Sequence, residues 1–263
     1  NEPTVEPSVS LATVDAAPEY TIPTDDVIRR LASLQLYDDA LREVQYAQRV
    51  WGDAPQLQAT IAWIRHNQGL GLRAQDRFNA LRGAITLMRR AYPQFMAAGG
   101  EDLPPEVPQI IFPLDYWRLI KKYSEQNGLD PYLMAALIAQ ESTFTPEIRS
   151  SANAYGLLQL IPSTARMYAR KAGLRYSTSL LTQPEANMRI GMKYFADLVD
   201  HFGSVYLALA SYNGGKVERW RIEKPDLPQD EFIDDIPFPE TQNYVKRILG
   251  TAEDYRRLYG GGL

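Results

Sequence analysis

From Thr24 onward, apolar side chains recur every three or four residues between Gly and Pro stops, and no segment alternates convincingly. A period near 3.6 fits helices and disfavours strands, so the sequence predicts an all-α fold. Thr24-Asp25-Asp26 offers a helix start, and Leu31, Leu34, Leu41 and Val44 give one stripe up to about Val50, broken by Gly52 to Pro55. Leu57, Ile61 and Ile64 carry a second helix, ended by Asn67 to Gly71. Phe78, Leu81, Ile85, Met88 and Tyr92 carry a third, stopped before Pro93. The strings Leu34-Gln35-Leu36 and Leu70-Gly71-Leu72 recur near a helical-hairpin spacing, a match short enough for chance to explain.

Residues 1–23 are rich in Pro, Thr, Val, Ser and Glu without helical period and read as an extended leader. Residues 24–98 read as a small helical module, whose stripes serve either as a docking surface or as packing support. Four prolines between Gly99 and Pro113 forbid a continuous helix there, so 99–113 reads as a stiff connection and 114–263 as the main domain. In that domain Tyr116 to Gln126 is helical, with Trp117, Ile120 and Tyr123 or Ser124 on one side. Helices are also expected from Ser163 (as cap) to Lys171, from Pro184 to His201, from Ser204 to Tyr212 and from Glu240 to Tyr259. A short hairpin within residues 145–160 remains compatible with the pattern.

Composition narrows the function. Apolar residues make up 45 % and charged ones 23 %, as in ordinary globular proteins, and the net charge of −4 disfavours nucleic acid or an anionic membrane surface as main partner. The absence of cysteine rules out thiolate chemistry, and two distant histidines, His66 and His201, make a histidine-rich metal site unexpected. No cofactor is implied. No apolar run is long enough to span a bilayer. The chain begins at Asn1 without a charged-then-apolar leader and reads as a processed form.

The stretch from Asp130 to Pro162 carries the chemistry. Asp130 can cap a helix and Pro131 suits its first position. Met134, Leu137, Ile138 and Glu141 then share one face, apolar except at its last member. Such a carboxylate is either a solvated residue at the core's rim or an acid held in a dry pocket. A free Glu, with a pKa of about 4.3, is roughly 0.2 % protonated at neutral pH. Apolar surroundings that raise the pKa to about 6 leave nearly a tenth protonated, a penalty on the charge of about 2 kcal/mol. That fraction can donate a proton to a leaving oxygen.

Four motifs in order then decide the reading. They are Glu141-Ser142 with Phe144 taken together with Ser150 nine positions after the glutamate; the string Ala154-x-Gly156-Leu157-x-Gln159-x-x-Pro162-x-Thr164-Ala165; and two later segments. Those segments are Ala210-Ser211-Tyr212-Asn213-Gly214-Gly215 with Val217 and Trp220, and Phe232 to Thr241 with Tyr244-Val245. In these motifs the chain resembles the soluble lytic transglycosylases, well over residues 109 to 263 and loosely before them. The resemblance implies a lysozyme-like (goose-type) all-α catalytic domain preceded by a small helical module. It implies peptidoglycan glycan strands as substrate, cell-wall synthesis or division proteins as possible partners, and a periplasmic or cell-envelope location.

It further implies that Glu141 alone serves as acid and then base, cleaving the MurNAc–GlcNAc bond without water to leave a 1,6-anhydro ring. Ser150 would bond the N-acetyl group, although serines there also serve turns. Gln159 would offer a donor and an acceptor to a sugar amide, or a buried hydrogen bond. Tyr212 would touch and orient the catalytic carboxyl, or simply fill the core. Asn213 would bond sugar hydroxyls or shape its turn. Tyr244 would line the groove, and Glu240 would have a structural or substrate-contact role at a helix start. Three positions depart from the family pattern: Asn153 replaces Gly and tolerates positive φ, while Leu158 and Ile161 replace methionines and keep an apolar wall. Ile161 is thereby also a substrate-binding candidate. Two other functions stay open on this reading, a hydrolase on the same scaffold and an inactive glycan-binding scaffold.

Overall fold

The computed structural model describes residues 24–96, 103–214 and 236–260. The chain divides into two compact units, one ending at Pro113 and one beginning at Leu114. Among the described residues the architecture is all-α, with only isolated bridges in place of strands.

In the first unit, α1 (Asp25–Ser33) and α2 (Tyr37–Trp51) form one helical hairpin, and α3 (Pro55–Leu70) and α4 (Ala74–Ala91) form another. Ile28, Ala32, Ala40, Val44, Ala47, Leu57, Ile61 and Ile64 make the core of α1 to α3. The single helix expected up to Val50 is therefore broken. Gln35 takes a left-handed backbone (φ 59°), and Leu34 is 63 % exposed instead of lying on a buried stripe. The gain from turning back is that the small side chains Ala40 and Ala47 bring α2 close against Ile28 and Ala32. Leu34-Gln35-Leu36 lies in the turn between α1 and α2, and Leu70-Gly71-Leu72 ends α3 and enters its turn toward α4, so both strings fall where a hairpin reverses. The Pro-rich stretch contains a short helix, α5 (Glu106–Ile111), which packs on α4 and α3. Pro108 fits because it sits in the first turn, where a backbone N–H would have no helical acceptor.

The second unit is organised around α7 (Pro131–Ser142), with α6 (Trp117–Gln126) on one side and α11 (Pro239–Tyr259) on another. Asp130 caps α7 by accepting from the Tyr132 N–H at 3.0 Å, as its sequence position suggests. The helix is apolar all round: Leu133, Met134, Ala135, Ala136, Leu137 and Ile138 are all buried. Such a helix belongs inside a domain. Around it lie α8 (Pro162–Lys171), α9 (Pro184–Phe202) and α10 (Val205–Gly214); α9 packs on α6, α8 and α10, and α10 packs on α11. Ser163 is not the cap of α8. Pro162 takes the first helical position after Ile161, and the helix has no side-chain cap. Asn213 and Gly214 extend α10 beyond the expected stop at Tyr212. Gly215, Val217, Trp220 and Phe232 to Asp235 lie outside the described residues.

Candidate active site

Glu141 sits in the last turn of α7, where the chain must leave a fully apolar helix. Thr143 and Phe144 follow with φ of 47° and 55°, both left-handed. A β-branched residue in that region is strained, so surrounding contacts must hold it. Phe144 supplies one, being completely buried, while the Thr143 N–H closes on the Ala139 carbonyl and the Thr145 N–H on the Ser142 carbonyl. This tight exit leaves Glu141 partly buried with an accessible edge.

The electrostatics are those of a poised acid. Burial raises the Glu141 pKa to about 7, and a hydrogen bond from the Tyr244 hydroxyl to Glu141 Oε1 opposes that rise. At neutral pH about half the molecules then carry the proton. Tyr244 comes from the buried face of α11 and is itself pushed well above its ordinary pKa, first by burial and then by the Glu141 charge. It therefore remains a donor.

Tyr212 occupies a different place from the one the motif suggests. Its hydroxyl donates to the Leu158 carbonyl at 2.6 Å, and its ring lies against Tyr194 (5.4 Å) and Phe195 (5.9 Å). The contact with the carboxyl belongs to Tyr244. Tyr212 still feels the acid, since its pKa is raised by burial and then by the Glu141 charge.

The Tyr212 hydroxyl reaches the loop from Arg149 to Leu160, which folds back on itself through isolated antiparallel bridges Arg149–Tyr155 and Tyr155–Leu160. The hairpin compatible with residues 145–160 thus exists in its shortest form. Its turn is fixed from below by Asn187, a fully buried residue of α9. The Asn187 Oδ1 accepts from Leu158 N at 2.8 Å, while Nδ2 donates to the carbonyls of Leu181 (2.8 Å) and Tyr155 (3.0 Å). Gly156 is required at the closest approach. Its φ is 76°, and a Cβ there would stand 2.0 Å from the Leu181 carbonyl oxygen. Asn187 escaped the sequence reading, although an amide beside the apolar run Met188, Met192 and Phe195 was its signal.

The remaining candidates take up varied stations. Gln159, with φ 44°, gives its Nε2 to the carbonyls of Gly156 (2.9 Å) and Ile148 (3.4 Å), so the amide nitrogen braces the turn. Ser150 Oγ accepts from the Ala154 N–H at 3.1 Å. Asn153 has φ 61°, the conformation its side chain tolerates. Ile161 is 48 % exposed at the head of α8. Asn213 accepts from Thr241 Oγ1 at 2.9 Å and ties the end of α10 to the start of α11. Glu240 is exposed in the first turn of α11, one turn before Tyr244. No group of three or more His, Cys, Asp or Glu side chains suited to a metal occurs among the described residues.

A desolvated carboxyl bonded by a tyrosine, in the last turn of the buried central helix of an all-α domain, defines a poised acid among the described residues. Comparisons give this class its relatives. Residues 118–233 match the family model described as the Transglycosylase SLT domain. The chain is 32 % identical over 155 residues to the soluble lytic murein transglycosylase of Escherichia coli K12, covering 57 % of this chain and 24 % of that protein. It is 28 % identical over 167 residues to the membrane-bound lytic murein transglycosylase C of Sodalis glossinidius, covering 54 % and 47 %. The crystal structure of the 70 kDa soluble lytic transglycosylase from Escherichia coli aligns with a TM-score of 0.62 at 25 % identity, covering 88 % of this chain and 34 % of that one. Lytic transglycosylase Slt from Pseudomonas aeruginosa, solved as an inactive Glu-to-Gln mutant, aligns with the same score at 26 % identity and the same coverage. The chain thus spans about a quarter of the length of the soluble curated relative it matches.

Proposed function

We propose that this chain is a lytic murein transglycosylase that cleaves the β-1,4 bond between N-acetylmuramic acid and N-acetylglucosamine. The observation that carries the reading is the Glu141 pKa of about 7, set by burial next to a tyrosine donor. In the proposed cycle Glu141 protonates the glycosidic oxygen and the GlcNAc alcohol departs. The carbonyl of the muramic N-acetyl group stabilises the anomeric carbon. The Glu141 carboxylate then removes the proton from the muramic C6 hydroxyl, whose oxygen bonds to the anomeric carbon. The acid is regenerated, the product is a 1,6-anhydro ring, and no water enters. The Glu141 pKa is raised by burial, whereas those of Glu185 and Asp197 are lowered by their partners, which suits a route with Glu141 as acid–base residue.

Supporting roles follow the geometry. With its nitrogen engaged, Gln159 is left to accept from a sugar N–H or hydroxyl through Oε1. Ser150, already an acceptor, has its hydroxyl hydrogen to give to an N-acetyl carbonyl. Ile161 provides apolar surface, and Asn213 and Glu240 stand where α10 meets α11. Such an enzyme works in the cell envelope or periplasm. Digestion of purified peptidoglycan followed by mass spectrometry tests the reading. Products lighter by one water than the reducing muropeptides, absent with Glu141→Gln, are expected. Hydrated reducing ends alone would make the chain a hydrolase, and unchanged peptidoglycan would make it a glycan-binding scaffold.

A further inference from the structure

We propose that Arg149 is a docking point for a carboxylate on the peptide stem of the substrate strand, an inference that rests on the peptidoglycan reading above. Arg149 is exposed yet held from two directions. Its Nε and Nη2 both donate to Asn153 Oδ1, at 3.0 and 2.7 Å, and its guanidinium carbon lies 5.0 Å from the centre of the Tyr155 ring. Among the described residues it has no carboxylate partner: its polar contacts are with a neutral amide and an aromatic face. The side chain has therefore lost most of its rotamer freedom without neutralising its charge. One edge of the fork is occupied, and the Nη1–Nη2 end keeps N–H donors in the geometry that fits a carboxylate.

Asn153 makes this possible. It stands where the resembled family usually has glycine, at φ 61°. Glycine would serve the backbone as well, but only a side-chain oxygen can grip the arginine. The substitution thus adds a function to the turn.

The occupant follows from the neighbouring residue. Ser150 is the proposed partner of the muramic N-acetyl group, and on that sugar the stem leaves from the adjacent ring carbon. Arg149 and Ser150 lie in one turn, closed by the Arg149–Tyr155 bridge and the Ser150 N–H bond to the Ala154 carbonyl, so a stem leaving a sugar held at Ser150 passes the turn that carries the guanidinium. The second stem residue is linked through its side-chain carboxyl and keeps its α-carboxylate free.

The test uses the full chain and two GlcNAc–MurNAc peptides that differ only in whether that α-carboxyl is free or amidated. Their one glycosidic bond is not the bond attacked, so binding is measured by calorimetry without turnover. The expected result is about tenfold tighter binding of the carboxylate form, the usual scale of a charge-assisted pair. The ratio should fall to near one in Arg149→Gln and part of the way in Asn153→Gly. Equal binding of both forms, or an unchanged ratio in Arg149→Gln, overturns the proposal. If anhydro products form and the ratio is one, the stem inference alone fails. If selective binding is seen with no anhydro products, the catalytic reading fails while the docking point stands.

Discussion

Replacing Glu141 by Gln should stabilise the protein at alkaline pH and do so much less at acid pH. The folded-state pKa of about 7 lies above the ordinary 4.5, so the native state holds a proton that the unfolded chain releases. The stability tied to that proton is complete below about pH 4.5 and is lost as pH rises through 7. The displacement corresponds to about 3 kcal/mol at most. Solvent reaches the partly exposed side chain and screens some of this, so about 2 kcal/mol is expected between pH 5 and pH 8. Glutamine keeps an oxygen for the Tyr244 hydroxyl and carries no charge to desolvate. Thermal unfolding at both pH values reads the effect: the melting temperature of Glu141→Gln relative to the unsubstituted chain should rise by about 4–8 °C more at pH 8 than at pH 5. An equal difference at both pH values would refute the argument, because burial of the charge would then have no energetic cost.

Three further outcomes follow from the same geometry. Tyr244→Phe removes the hydrogen bond that holds the Glu141 pKa down, so the alkaline limb of kcat/KM should move to higher pH; a limb at the same or lower pH would exclude that contact. Asn187→Leu strands Leu158 N and the carbonyls of Tyr155 and Leu181, and urea unfolding should show a loss of about 3–5 kcal/mol. Gly156→Ala should cost at least about 2 kcal/mol by the same assay, against about 1 kcal/mol for Gly128→Ala, where φ is also positive but nothing lies within 4 Å of the added methyl.

The long helices were readable because their apolar periodicity coincides with a buried face: Leu57, Ile61 and Ile64 of α3 are all in the core. Leu34 misled for the opposite reason. A leucine adds to a stripe whether or not the chain turns away, and the left-handed backbone at Gln35 has no sequence marker comparable to glycine. At the site, Glu141 was legible from its position at the end of an apolar face. Its partner was not. Tyr212 and Tyr244 are both buried tyrosines inside motifs, and which hydroxyl reaches the carboxyl depends on how α10 and α11 seat against α7. Asn187 was missed because its three partners are backbone atoms, which look the same at every position of a sequence.

One consequence of placing Glu141 in the final turn of α7 concerns the backbone itself. The peptide dipoles of that apolar helix point their negative end at the carboxyl, with no charged side chain along α7 to offset them. The field therefore acts in the same sense as the lack of solvent, penalising the anionic form of Glu141. An anion so disfavoured pulls strongly on any nearby hydroxyl hydrogen. In the proposed cycle the helix axis would thus supply a restoring force that returns Glu141 to its protonated form.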